Sequence, residues 1–297
     1  GARRLGEAGL LRSADEPHVL QQRARNFYLT AAGIGAVVTI AAFLATSGAI
    51  VVTIRQLAEW LGSGILILSG MFFLYLFTAG GLSKTEKKRL GVIVWLYLLA
   101  AVFWSGFEQA GSSMNIFARD LTDRVVLGWE MPASWLQNVN PVLIVLMAPV
   151  FGWLWTWLAR RKASPSIPVK FALGLFGLAA GFFVISWGAV NAGVESRVSM
   201  SWLVVTYFLH TAGELCLSPV GLSSMTKLAP RGRVGQMMGV WFIAAALGNL
   251  FAGLGAGRLE ELAPTALFRN VALIVGAGGL VAIVVSPAVR RLMRDSD

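Results

Sequence analysis

The sequence predicts an all-α membrane protein with eight transmembrane helices, and three observations carry that prediction. Of its 297 residues, 56% are hydrophobic and only 13% charged, and the mean hydropathy is +0.69; soluble chains carry about 25% charged residues. Eight stretches stay apolar for the roughly 20 residues that a helix needs to cross the hydrocarbon core. Finally, the connections between those stretches alternate between basic and nearly base-free along the whole chain.

The stretches run 27–53, 57–80, 89–113, 136–159, 168–190, 201–226, 234–256 and 267–289. The first follows an arginine-bearing segment and is too long for a signal peptide, so it reads as a membrane helix. None has the short alternating pattern of an outer-membrane barrel strand. The even-numbered connections, counting the N-terminal segment as zero, hold 19 of the 25 Lys and Arg residues. The odd ones hold only Arg55, Arg119, Arg124, Arg197, Arg258 and Arg269. By the positive-inside rule both ends and every even connection are cytoplasmic. The net charge of +10 is therefore a topogenic and lipid-facing signal, and no nucleic-acid partner is expected.

Other classes fall away on composition. Cys216 is the single cysteine, which excludes a disulfide framework. Two histidines and one cysteine leave no easy zinc or iron site, so no metal is expected. Gly253-x-x-x-Gly257 and Gly276-Ala-Gly-Gly279 read as faces for close helix packing and carry no chemistry.

The acidic residues isolate the chemistry. Of the fifteen, six lie in cytoplasmic segments and seven in the opposite connections, leaving Glu108 and Glu214 inside spans. A carboxylate at the bilayer centre costs about 2.5–3.5 kcal/mol on insertion scales and is usually tolerated because it faces a bundle interior or a watery cavity. Such a group is placed to take up and release a proton as its surroundings alternate. The plainer alternative is a neutral glutamic acid whose hydrogen bonds hold two helices together. No basic residue within the eight spans can pair with either carboxylate at mid-depth, so their counter-charges are expected from outside this chain.

Around Glu214 the run is His210-Thr-Ala-Gly-Glu214-Leu-Cys-Leu-Ser218-Pro219-Val-Gly221. Pro219 has no amide hydrogen, so the carbonyl of Leu215 loses its helical partner and the helix can kink there. Ser218 falls one turn beyond Glu214 and His210 one turn before it. His210 either shares a proton with Glu214 or simply packs, and Cys216 reads as a small packing residue. Trp104 stands one turn before Glu108; it and Trp241 are either pocket walls or lipid-facing tryptophans. Asn140-Pro141 opens the fourth span, where Asn140 either contacts a polar ligand or caps the helix.

At these residues a resemblance emerges. Phe103-Trp104-x-x-Phe107-Glu108-Gln-Ala-Gly-Ser-Ser-x-Asn115, Asn140-Pro, and Gly213-Glu214-Leu-Cys-Leu-Ser-Pro-Val-Gly-Leu-Ser-x-Met-Thr-Lys-Leu-Ala-Pro230, with Gln236-Met-Met-Gly-Val-Trp241-Phe, closely resemble the proton-coupled oligopeptide transporter family. That family is a branch of the major facilitator superfamily. The resemblance covers about 89–292 and implies the family's C-terminal six-helix bundle. It implies that 1–26 is a cytoplasmic linker, 27–80 the extra helix pair of bacterial members, 81–88 a cytoplasmic loop and 293–297 a cytoplasmic tail. Nothing here matches the Glu-x-x-Glu-Arg-Phe type motif of the family's first helix. The chain is therefore expected to be the C-terminal part of a longer transporter, lacking the N-terminal six-helix bundle.

By the same resemblance the function is symport of protons with di- and tripeptides across a bacterial inner membrane, driven by the proton gradient without a cofactor. Glu108 and Glu214 are implied to couple to protons. Trp104, Glu108, Asn140, Glu214, Ser218 and Trp241 are implied to line the peptide site, with Pro219 and Gly221 as a hinge. Other readings keep the fold but carry an amino acid, nitrate or a drug-like solute, or make the protein a non-transporting receptor. An intramembrane enzyme using Cys216 or Ser218 with His210 lacks a third orienting group.

Overall fold

The computed structural model describes residues 53–193, 196–256 and 262–294, with scattered positions between 21 and 43. Most of the linker 1–26 and of the stretch 27–53, the residues Gly257–Glu261 and the tail after 294 lie outside the described residues. The chain divides into two compact units, Gly1–Leu57 and Ala58–Asp297.

Among the described residues seven helices are long and apolar enough to cross a membrane. In chain order the α-helices are α1 (Ile54–Thr78), α2 (Lys84–Phe107), the short α3 (Ser113–Asp120), α4 (Val139–Arg160), α5 (Ile167–Gly188), α6 (Ser201–Leu228), α7 (Val234–Ala256) and α8 (Pro264–Arg294). Their bounds follow local chemistry. Ser83 caps α2 in a reciprocal box: Glu86 N–H donates to the Ser83 hydroxyl and Ser83 N–H to the Glu86 carboxylate. The start of α2 thus precedes the expected residue 89, because apolarity marks the hydrocarbon core and capping marks the helix.

One helix changes character partway along its span, and another runs through a proline. The span expected over 89–113 is interrupted: α2 ends at Phe107, a 3-10 turn covers Glu108–Gly111, and α3 carries on to Asp120. α6 stays helical from Ser201 through Leu228 with Pro219 inside it. In a membrane bundle neighbouring elements tolerate one missing backbone bond.

The core is a layered helix stack. α5 packs on α6 and α8, α2 on α7 and α8, and α6 also meets α4. The α5–α6 crossing depends on absent side chains: a Cβ at Gly174 would lie 2.7 Å from the Leu217 Cβ, and one at Gly213 would lie 2.6 Å from the Gly174 carbonyl oxygen. Helices in lipid associate through such close contact, since lipid offers little hydrophobic drive between them. Phe171, Leu175, Leu178 and Phe182 of α5 fill the centre, fully buried. α4 is the peripheral helix, with no fully buried residue of its own.

At the end opposite Lys84 the connections are structured. β1 (Thr122–Asp123) pairs in parallel with β4 (Val198–Ser199), and β2 (Val125–Val126) pairs antiparallel with β3 (Trp129–Glu130). The β2–β3 turn places Leu127 and Gly128 both at positive φ, 52° and 83°, as a two-residue hairpin turn requires. Arg124, 8% exposed, ties this cap together: it donates to the Met131 carbonyl, to the Arg119 carbonyl at 3.3 Å and to the Glu130 carboxylate at 2.7 Å.

Candidate functional site

The polar residues gather where α6, the start of α4 and the break after α2 come together. Glu214 lies halfway along α6 and is half-buried. Across the helix interface the Asn140 side-chain amide donates to the Glu214 carboxylate at 3.2 Å and to the Thr211 hydroxyl at 3.0 Å. Thr211 in turn donates to the Tyr207 carbonyl at 2.7 Å, which fixes its oxygen toward Asn140. Asn140 therefore bridges two helices, and the helix-cap alternative is overturned; residues 133–138 form a 3-10 turn ahead of α4. A hydrogen bond to a charged group contributes about 1.5–3 kcal/mol, enough to hold the carboxylate at one rotamer.

Thr211 was not anticipated as a partner, although its position three residues before Glu214 puts both on one face. Ser218, one turn beyond Glu214, has a buried hydroxyl without a hydrogen-bond partner. Glu214 thus occupies a face carrying an amide, a bonded hydroxyl and an unbonded one.

Glu108 owes its place to the break. As the last cap of α2 it begins the 3-10 turn, and Ser112 beyond it takes φ −124°, ψ −100°, outside helical geometry. Gln109 ties the break together: its side-chain oxygen accepts from the Ser113 hydroxyl and from the Ser112 hydroxyl at 3.4 Å. Its amide donates to the Ser105 carbonyl at 3.4 Å. Gln109 is accordingly 3% exposed and acts as internal scaffolding. Glu108 stays half-buried. Among the described residues neither carboxylate is paired with a Lys or Arg.

The aromatic candidates take different positions. Trp104 packs edge-on against Phe107, ring centres 5.3 Å apart, and its buried indole N–H has no partner. Its backbone meets α7 where Gly248 has no side chain. Trp241 is 4% exposed and packs on Phe171, which overturns the lipid-facing alternative for it. A Cβ on Gly221 would lie 2.2 Å from the Trp241 ring, so Gly221 is the recess that admits the indole. His210 is 1% exposed, set 4.6 Å from the Phe182 ring and against Gly181. No hydrogen bond joins it to Glu214, and its Nε2 is unbonded, so the packing alternative describes it. Cys216 is a free, partly buried thiol.

The fold and this cluster define a multi-pass helical membrane protein with a polar, acid-bearing interior. Residues 68–264 match the POT family, and the chain belongs to that family. It is 41% identical over 297 residues to the peptide transporter YePEPT of Yersinia enterocolitica, covering 98% of this chain and 57% of that protein. It is 29% identical to a di-/tripeptide transporter of Lactococcus lactis subsp. cremoris, covering 91% of this chain and 55% of that one. Among solved structures, a mutant of a peptide transporter POT in complex with alafosfalin superposes with a TM-score of 0.78 at 31% identity, over 98% of this chain and 57% of the other. The chain thus spans little more than half the length of these relatives. Within that span its fold is that of POT transporters of the major facilitator superfamily.

Proposed function

We propose that the chain is the C-terminal part of a proton-coupled symporter that takes up di- and tripeptides across the bacterial inner membrane. The observation that carries this reading is the Asn140–Glu214 pair: an acid held across two helices at mid-span, with no basic partner among the described residues. A zwitterionic peptide needs an acidic pole for its amine and a basic pole for its carboxylate. Glu214 and Asn140 form the acidic pole, and an N-terminal six-helix bundle supplies the basic one. The relatives named for peptide transport support this cargo.

In this reading Ser218 lines the same site, and Trp104 bounds it beside Glu108. Trp241 forms its floor and reaches peptide side chains only by leaving the Gly221 recess. Glu108 and Glu214 are the proton-coupling groups: protonation of either carboxyl breaks its salt bridge with the other bundle, which biases alternating access. Pro219 and Gly221 supply compliance within the continuous α6. Residues 27–80 form the extra helix pair, 89–292 the transporter bundle, and both ends lie in the cytoplasm. The proton gradient drives the cycle, with no cofactor.

The test is uptake of labelled dialanine into proteoliposomes containing the full-length transporter. Uptake is expected to exceed equilibrium when an inward proton gradient is imposed and to fall to the equilibrium level when a protonophore collapses it. A well-folded protein that accumulates none of several peptides would contradict the cargo assignment.

A further inference from the structure

An apolar crevice of about 400 Å³ separates α1 from α7, away from the carboxylates. Its walls are Ile65, Leu68 and Phe72 on one side and Gly239, Ile243 and Ala246 on the other. The hydroxyl of Ser69, also in the wall, already accepts from the Tyr97 phenol at 3.1 Å. From Gln236 to Ala246 the crevice follows eleven residues of α7, about 15 Å of helix and half of the roughly 30 Å hydrocarbon core. Its depth therefore matches one leaflet.

The mouth has the opposite character. Arg233 stands between the two helices there, donating to the Gly80 carbonyl at 3.1 Å and to the Gln236 side chain at 3.2 Å. Arg231, two residues before it, and Lys84, four residues beyond Gly80, are exposed. Glu86 lies at this end as well, where it accepts from the amides of Ser83 at 2.9 Å and Arg231 at 3.2 Å, and the basic side chains outnumber it. Cations at a membrane surface above a leaflet-deep apolar slot complement one kind of molecule, a lipid with an anionic head and an acyl chain.

We propose that an anionic phospholipid binds here, its phosphate at Arg233 and Arg231 and one acyl chain between α1 and α7. The lipid fills the gap where α1 otherwise meets the bundle through few side chains, and so joins that helix to α7. The inference does not depend on the transported cargo.

Native mass spectrometry of the purified protein, equilibrated with equal amounts of palmitoyl-oleoyl phosphatidylglycerol and phosphatidylcholine, tests it. The wild-type protein is expected to retain phosphatidylglycerol preferentially. Arg233→Gln is expected to lower that retention about fivefold, the factor matching about 1 kcal/mol for one basic group at an anionic surface. A Cβ at Gly239 meets nothing within 4 Å, so Gly239→Leu fills the slot without a clash and abolishes retention. Ala246→Phe, at an exposed wall position, provides the same test should the first variant be unstable. Equal retention of the two lipids by the wild-type protein, or unchanged retention in a folded slot-filling variant, would overturn the proposal.

Discussion

Glu214→Gln lowers gradient-driven dialanine uptake by the full-length transporter at least about tenfold, with the amount of folded protein unchanged. The substitution is nearly isosteric, and its side-chain oxygen still accepts from Asn140, which donates to the carboxylate at 3.2 Å in the native protein. What it removes is charge and titration. A charge-assisted hydrogen bond to a peptide amine contributes about 1.5–3 kcal/mol, and about 1.4 kcal/mol is a factor of ten in binding. Loss of the proton-carrying group adds to this, because substrate movement is then no longer linked to the gradient. Asn140→Ala acts in the same direction but more weakly, since Glu214 keeps its charge and water can replace one donor. Uptake assays at matched protein density check both, and uptake in Glu214→Gln equal to the parent's would remove Glu214 from the coupled site.

Gly213→Leu abolishes folded, monodisperse protein, and it does so through packing rather than chemistry. At Gly213 even a Cβ would meet the Gly174 carbonyl oxygen at 2.6 Å and the Leu178 backbone nitrogen at 3.2 Å. These are backbone atoms on a neighbouring helix and cannot swing aside, so α5 and α6 must separate. Overpacking by a single group typically costs about 1–3 kcal/mol, and a leucine adds three further carbons at the same point. Gly213→Ala is therefore expected to fold with a lower unfolding temperature in detergent. Gly152→Ala is the control: a Cβ there meets nothing within 4 Å, and alanine favours a helix over glycine. A Gly213→Leu variant as stable as the parent would show that the helices do not cross as closely as described.

The two predictions depend on features of unequal visibility in the sequence. The spans were legible because bilayer thickness dictates their length, and the two in-span carboxylates because nearly every other charge lies in a connection. The partner of Glu214 was not legible: Asn140 is 74 residues away, and only the packing of α4 on α6 brings the two together. The break after α2 was not legible either. Proline advertises a lost backbone bond at Pro219, yet α6 continues through it. At Glu108–Ser112 no proline marks the break, and the signal is subtler: Gln109 followed by Ser112 and Ser113, whose side chains bond to one another. The glycines of the α5–α6 crossing carried no signal that set them apart from the 33 in the chain, because what they admit is another helix.

Binding of dialanine compared with N-acetyl-dialanine, in the full-length parent and in Glu214→Gln, tests the central claim most directly. Acetylation removes the positive amine and leaves the rest of the peptide in place. If Glu214 and Asn140 form the pole that receives the amine, the parent binds dialanine at least about tenfold more tightly, the factor that about 1.4 kcal/mol represents. In Glu214→Gln that preference disappears. Equal affinity of the parent for both peptides, or a preference that survives in the variant, would contradict the account and place the peptide amine elsewhere.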